Sequence, residues 1–243
     1  MFLIPFKFPH IDVYCVFTTR IGGVSPGCYL SLNLSFEVGD AKENVLKNRE
    51  KICDKLKIKY LVDVKQVHGS NIVQVSEPLD KLEEADAMTT WLPEVGLLIK
   101  TADCQPILVA HKSGKYIGAF HVGWRANKEG YIKKWIDIFC KTYSVRPDEL
   151  MAVRGPSLCP EHSEFVNYVN EWENKYKEFY NASTKTVDLW ALTYYQFLVS
   201  GLLKENIFHI DLCTFCNSDM FFSYRREKIC GRQGGIIWIK RKK

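Results

Sequence analysis

Gln105-Pro106-Ile107-Leu108-Val109-Ala110-His111-Lys112-Ser113-Gly114-Lys115-Tyr116-Ile117-Gly118-Ala119-Phe120-His121-Val122 reads as two apolar strands joined by a short polar turn. His111-Lys112-Ser113-Gly114 suits a four-residue hairpin loop. Pairing Ala110 with Lys115 sets a register in which Cys104, at the foot of the first strand, faces His121 near the end of the second. Directly opposed side chains on one face of an antiparallel pair have Cβ atoms roughly 4.5–5.5 Å apart, close enough for two ligands of one metal. Pro106 cannot donate to a ladder and suits an edge or bulge. A slip of one residue would put Cys104 and His121 on opposite faces.

Outward from this hairpin, Gln66-Val67-His68-Gly69 offers a third ligand from a neighbouring strand or turn. His68, Cys104 and His121 together would make a Cys-His-His site. A closed structural zinc site uses four protein ligands, whereas a catalytic one uses three and leaves a position open. The three ligand atoms are expected within about 4 Å of one another, opening to a pocket. His10, His111, His162 and His209 lack comparable context.

Residues 11–20 and 28–38 read as strands around the turn-rich stretch 21–27. Residues 40–57 read as a helix, with Asp40 as N-cap and Glu43 completing a capping box. Its apolar stripe is Val45, Leu46, Ile52, Cys53 and Leu56, and Arg49 falls in the middle of it. A buried arginine needs an anion. That anion is either a carboxylate elsewhere in the chain or a bound substrate or phosphate, towards which the guanidinium would point. Strand segments flank His68 within 61–75, and Leu97-Leu98-Ile99 begins a buried strand leading to Cys104. A helix over about 128–143 would place its amino end near His121 and Arg125, a ready anion site. Helices follow over about 162–180 and 188–204, the latter capped by Asp188, then strands at 207–211 and 236–240 around an irregular stretch near 221–226. Strands and helices alternate without a regular βαβ beat. The expected fold is α+β, a single domain over 1–243 with mixed, mainly antiparallel sheets flanked by helices.

The 243 residues, 47% hydrophobic, are ample for one well-packed core. There is no run long enough to span a membrane, and Met1–Phe6 lacks the charged leader of a signal peptide, so the expected location is cytoplasmic. The net charge of +5 owes much to Lys240-Arg241-Lys242-Lys243, read as a solvated tail. With no basic stripe interleaved with aromatics, no nucleic-acid partner is expected. Nine cysteines are an odd number, and in a cytosol most would be reduced core thiols. Cys213-Thr214-Phe215-Cys216 is a CxxC, either half a zinc site or a redox pair, but no second CxxC or paired histidine lies near it in sequence.

Thr18-Thr19-Arg20 with Gly22-Gly23-Val24-Ser25, Ser31-Leu32-Asn33-Leu34, Gln66-Val67-His68-Gly69, Ala85-Asp86-Ala87-Met88, Thr101-Ala102-Asp103-Cys104-Gln105-Pro106, His121-Val122-Gly123-Trp124-Arg125, Gly155-Pro156-Ser157-Leu158 and Phe222-Ser223-Tyr224-Arg225-Arg226 occur in this order. Together they resemble the YfiH family, also labelled the multicopper polyphenol oxidase, laccase-domain or laccase-domain purine nucleoside phosphorylase family. The resemblance implies zinc at His68, Cys104 and His121. It also implies phosphorolysis of adenosine, inosine, guanosine and methylthioadenosine, and deamination of adenosine. The partners would then be a purine nucleoside and phosphate.

The oxidase label fails on counting. A blue-copper centre alone takes two histidines and a cysteine. A laccase needs on the order of ten histidines in all, and this chain has six. One copper at the Cys-His-His site in vitro is the most such chemistry could use. For phosphorolysis, cationic side chains must hold phosphate beneath a cation-like sugar carbon. Arg49 is the first candidate and Arg20 the second, with Asn33 and Arg125 as further substrate contacts. For deamination a carboxylate must move protons, and Asp103 and Glu164 are the candidates. An alternative reading makes Cys104 a nucleophile and His121 its base in an amide hydrolase acting on a peptidoglycan precursor. The sequence does not fix an oligomeric state.

Overall fold

A computed structural model of the chain describes residues 1–77 and 83–240; Arg241, Lys242 and Lys243 of the basic tail lie outside the described residues. The strands are β1 (Leu3–Lys7), β2 (Val13–Thr18), β3 (Tyr60–Val62), β4 (Ile72–Gln74), β5 (Ala87–Thr90), β6 (Val95–Thr101), β7 (Gln105–His111), β8 (Ile117–Val122), β9 (Leu150–Arg154), β10 (Tyr180–Asn181), β11 (Thr186–Val187), β12 (Ile207–His209) and β13 (Gln233–Ile239). The helices are α1 (Lys42–Leu56), α2 (Trp124–Lys128), α3 (Tyr131–Tyr143), α4 (Tyr168–Trp172), α5 (Leu189–Val199) and α6 (Tyr224–Glu227).

The central hairpin forms, two residues out of the expected register. Ala110 pairs with Ile117, not Lys115, and Pro106 sits opposite His121. His111 belongs to the strand rather than the loop, because its imidazole caps the turn. Nδ1 lies 2.7 Å from the Ser113 hydroxyl and accepts from the Ser113 amide at 3.2 Å. The turn proper is Lys112–Lys115, closed by the His111 amide on the Tyr116 carbonyl, with Gly114 at φ 69°. Side chains alternate with period two, so a slip of two keeps every residue on its face. Cys104 and His121 therefore still share a face, diagonal rather than directly opposed.

β7 and β8 are buried on both faces, which is why they read as unbroken apolar runs. They lie in a six-stranded sheet ordered β12-β9-β7-β8-β5-β4, and a five-stranded sheet runs β1-β2-β13-β6-β3. Leu108, Ala110, Ile117 and Ala119 pack against Cys15, Phe17, Ile99 and Ile237 between the two sheets. On the outer face of the larger sheet, Ile107, Val109 and Phe120 meet Trp135 and Phe139 of α3 and Phe197 of α5. Leu98, Ile236 and Trp238 of the smaller sheet meet Ile52 of α1. The result is a helix–sheet–sheet–helix stack. Antiparallel pairs predominate, with parallel pairing at β3/β6, β4/β5 and β9/β12, so the α+β expectation holds. Among the described residues no helix is long and apolar enough to cross a membrane.

Three element expectations need correction. Residues 28–38 form no strand. A 3-10 turn covers Gly27–Tyr29, and the amides of Ser31 and Leu32 both turn back onto the Arg20 carbonyl. The span 162–180 is not one helix. Only Tyr168–Trp172 is α-helical, and Glu173, Asn174 and Tyr176 at positive φ break it, while Phe165, Tyr168 and Trp172 bury as an aromatic cluster. The helix expected over about 128–143 begins only at Tyr131, after Gly130 at φ 68°, and a separate short helix, α2, precedes it. Asp188 does cap α5, accepting from the Ala191 amide. Asp40 does not cap α1, whose N-cap is Ala41 with no side-chain bond.

Arg49 is also corrected. Its fork closes on Asp63 at 2.9 and 2.8 Å and on the Leu34 carbonyl, and Lys100 joins Asp63 at 2.7 Å. The arginine on the apolar stripe thus found its anion inside the fold, and it does not point to a substrate. Burial would raise the Asp63 carboxyl, but the Arg49 fork and the charges of Arg49 and Lys100 hold it below the usual aspartate range. A depressed folded pKa gives stability that is present above the unfolded value of about 3.9 and is lost as pH falls through the folded one. Asp63→Asn is expected to cost about 1.5–3 kcal/mol at neutral pH, the range for hydrogen bonds to charged groups. The variant should also lose less stability than wild type on acidification below about pH 4. Urea unfolding at pH 7 and pH 3 checks both, and parallel losses in the two proteins would contradict the assignment.

A candidate metal centre at the end of the sandwich

Asp86 builds the site. It is fully buried just before β5, where an unpaired charge would be costly. Its carboxylate accepts the amides of Val67, His68 and Gly69 at 3.1, 3.0 and 2.7 Å. These three bonds hold the loop after β3 in a tight turn with His68 at φ 59°, a conformation that costs a non-glycine residue roughly 1–3 kcal/mol unless its surroundings impose it. The same carboxylate accepts Nδ1–H of His121 at 2.7 Å, and the His121 amide donates to the Asp86 carbonyl. With Nδ1 so engaged, Nε2 of His121 is left to face the cavity, the usual arrangement behind a metal-bound histidine.

Cys104 lies in the bend between β6 and β7, its sulfur 4.0 Å from Nε2 of His68. The His68 and His121 rings meet edge to face at 4.8 Å between centroids. One ligand atom from each of His68, Cys104 and His121 lies within 4.8 Å of the others, somewhat wider than the expected 4 Å. Gly123, the residue across from Cys104 in the observed register, leaves the ligand side chains their room. A Cβ there would stand 3.2 Å from the Cys104 sulfur and 3.1 Å from the His68 ring.

Burial alone would raise the Cys104 thiol, but the charge and hydrogen bond of His121, reinforced by His68, hold it at about 6. Burial would lower His121, but the Cys104 thiolate and then Asp86 push it up to about 9. Burial opposes the Asp86 charge too, and its bonds to His121, Gly69 and Val67 overcome that. A metal arriving here would displace the Nε2 proton of His121, and the donor set would then be one thiolate and two imidazoles, converging with an open side. That is the set a catalytic zinc takes, so the residues fit the group.

The open side faces a cavity of about 580 Å³, within the range of small-molecule sites. Among the described residues, Lys65, Lys100, Arg125, Arg225, Lys228 and Arg232 line it against two carboxylates, Glu37 and Asp103. Lys65 and Lys100 are paired with Glu84 and with Glu37 and Asp63. Arg125, Arg225, Lys228 and Arg232 have no carboxylate partner among the described residues. Trp124, Phe165 and Tyr224 add aromatic faces.

Of the residues singled out from sequence, His68, Cys104, His121, Asp103 and Arg125 line this cavity, and Arg49, Arg20, Asn33 and Glu164 do not. Arg20 is committed to Glu227, the Leu30 and Ser218 carbonyls and the Phe222 face. Asn33 is an internal brace, binding Asp40 and the Ser35 carbonyl and accepting from the Ser35 and Arg232 amides. Glu164 is exposed, and its carbonyl, not its carboxylate, meets Arg225. Asp103, at φ 95°, accepts from the Thr214 hydroxyl at 2.7 Å and the Arg225 amide at 2.6 Å. Sequence reasoning missed Asp86, Gly123 and the cations Arg225, Lys228 and Arg232. Asp86 had no clear local signal, because Glu83 and Glu84 stand just before it and make it read as one more carboxylate of an acidic run.

A sandwich with this centre at its end has known counterparts. The chain belongs to the family described as multi-copper polyphenol oxidoreductase laccase, whose family model matches residues 14–240. It is 30% identical to a Haemophilus influenzae protein named purine nucleoside phosphorylase, over 94% of this chain and 95% of that one. It is 32% identical to the Escherichia coli purine nucleoside phosphorylase YfiH, over 91% and 92% of the two chains. The crystal structure of a Neisseria meningitidis protein superposes with a TM-score of 0.89 at 30% identity, covering 98% of this chain and 99% of that one.

Proposed function

We propose that this chain is a zinc-dependent purine nucleoside enzyme. It would phosphorolyse adenosine, inosine, guanosine and methylthioadenosine, and deaminate adenosine. The observation that carries the reading is the Cys-His-His constellation opening into a cavity rimmed by cations without carboxylate partners. The names of the Haemophilus influenzae and Escherichia coli relatives support the reaction class.

In phosphorolysis the bond between purine nitrogen and sugar breaks, and phosphate oxygen takes the anomeric carbon. Arg125, Arg225, Lys228 and Arg232, rather than Arg49 or Arg20, are assigned to hold the phosphate, because they line the cavity and none has a carboxylate partner among the described residues. Fixing the anion and neutralising it as the sugar becomes cation-like is where such a site gains its rate. Trp124, Phe165 and Tyr224 offer the purine flat apolar faces. His68, Cys104 and His121 would hold the metal, which when bound supplies a Lewis acid and lowers the pKa of water. The same two-histidine, one-cysteine set would also take copper in vitro. Asp103 is assigned to proton movement in deamination; a carboxylate has about four lone-pair sites, and Thr214 and Arg225 use two.

The test is purified, metal-replete protein with adenosine, with and without phosphate, products resolved by chromatography. Adenine released only with phosphate is expected, with inosine marking deamination. No consumption of any purine nucleoside would sink the proposal. The second reading, an amide hydrolase, is favoured by one observation, the closeness of the Cys104 sulfur to His121, whose ring is oriented by Asp86. Chelation separates the two. A ligand cysteine is shielded from alkylation until metal is removed, and activity leaves with the metal, whereas a nucleophile works metal-free and dies on alkylation.

A further inference from the structure

Cys213-Thr214-Phe215-Cys216 is not alone in space. Cys159 and His162 reach it from 54 residues away, and one ligand atom from each of Cys159, His162, Cys213 and Cys216 lies within 4.8 Å of the others. We propose that these four residues form a second, structural zinc site, distinct from the centre at His68, Cys104 and His121.

Local geometry explains the convergence. A 3-10 turn over Pro160–His162 carries His162 back over Cys159, placing Nδ1 3.1 Å from its sulfur. Nδ1 is also 3.6 Å from the Cys216 sulfur, and the imidazole stacks on Phe215 at 4.1 Å between centroids. The Cys213 sulfur accepts two backbone amides, from Cys159 at 3.4 Å and Cys216 at 3.5 Å. Amides aimed at a sulfur stabilise thiolate and orient a ligand. Three sulfurs and one imidazole in a closed set of four is a structural zinc pattern, too soft for magnesium or calcium. It also accounts for three of the nine cysteines, one of them, Cys216, exposed where a core thiol would not be.

The site would staple the segments that leave the parallel neighbours β9 and β12. It sits one bond from the cavity. The Thr214 hydroxyl donates to Asp103, and the Leu158 amide to the Asp103 carbonyl. Arg226 clamps the Thr214 and Phe215 carbonyls, beside Arg225, whose amide binds the other Asp103 oxygen. The bend that presents Cys104 is therefore anchored to the staple.

Zinc content and thiol labelling of the intact protein, purified under reducing conditions, test this. About two zinc ions per chain are expected if both sites fill, falling by about one in Cys216→Ser and by about one in Cys104→Ala. If the first site holds no metal, wild type carries about one, Cys104→Ala is unchanged and Cys216→Ser still loses it. Labelling needs no variant. Cys159, Cys213 and Cys216 should alkylate at least about tenfold more slowly with zinc than after chelation, read peptide by peptide. Equal labelling rates with and without chelator, unchanged zinc content in Cys216→Ser, or a disulfide between any two of the three would overturn the proposal.

Discussion

Asp86→Ala is expected to cost about 3–5 kcal/mol, the range for breaking a buried pair from one side. The carboxylate takes three amides and one imidazole from two separate elements, and no other group among the described residues accepts from those amides. Its loss leaves His121 charged and buried, and removes the bonds that hold His68 at positive φ. Asp86→Asn keeps the shape, but its amide nitrogen would face donors where an oxygen now accepts. That variant should fold and bind metal 10–100-fold more weakly, as expected for a lost ligand-orienting partner, on the order of 1.4–2.7 kcal/mol. Urea unfolding of chelated protein measures the first effect, and zinc competition titration the second. An alanine variant within about 1 kcal/mol of wild type, a typical surface effect at most, would show the loop is held by something else.

Cys104→Ala is expected to lower kcat/KM for phosphorolysis by at least about 10³-fold, the upper end for removing one preorganised charge-stabilising group. Stability should change little in chelated protein, because the half-buried thiol stands against the cavity. The loss should be the same in Cys104→Ser, whose hydroxyl is a poor stand-in for thiolate. Steady-state kinetics at saturating phosphate, alongside zinc content of each variant, reads the effect. A serine variant that keeps wild-type kcat without zinc would refute the ligand role.

What was legible in the sequence was what is local. The β7–β8 hairpin, the buried β6, the Asp188 cap and the apolar face of α3 each follow from periodicity or one turn. The register came out two residues wrong because the His111 side chain caps the turn and extends the strand. The error left the ligands on their face because it was even. What failed was non-local. Arg49 could not be resolved until Asp63 was known to lie against it, and Cys213–Cys216 looked unpartnered because Cys159 and His162 are distant in sequence. The aromatic run 165–180 mimics a helical stripe, yet tertiary packing of Trp172 and Tyr168 decided its course.

The position of β13 bears on how the chain is made. This strand, the last of the sequence, is inserted between β2 and β6. On a ribosome, β6 emerges well before β13, and at ~5–20 residues per second the interval is on the order of ten seconds. Throughout it, β2 and β6 present unpaired apolar edges that invite pairing with other chains. Nascent chains stalled or cut before Gln233 should be aggregation-prone and depend on chaperones. They would lack the strand that closes the smaller sheet, and the cavity beside it would be finished only after β13 has emerged.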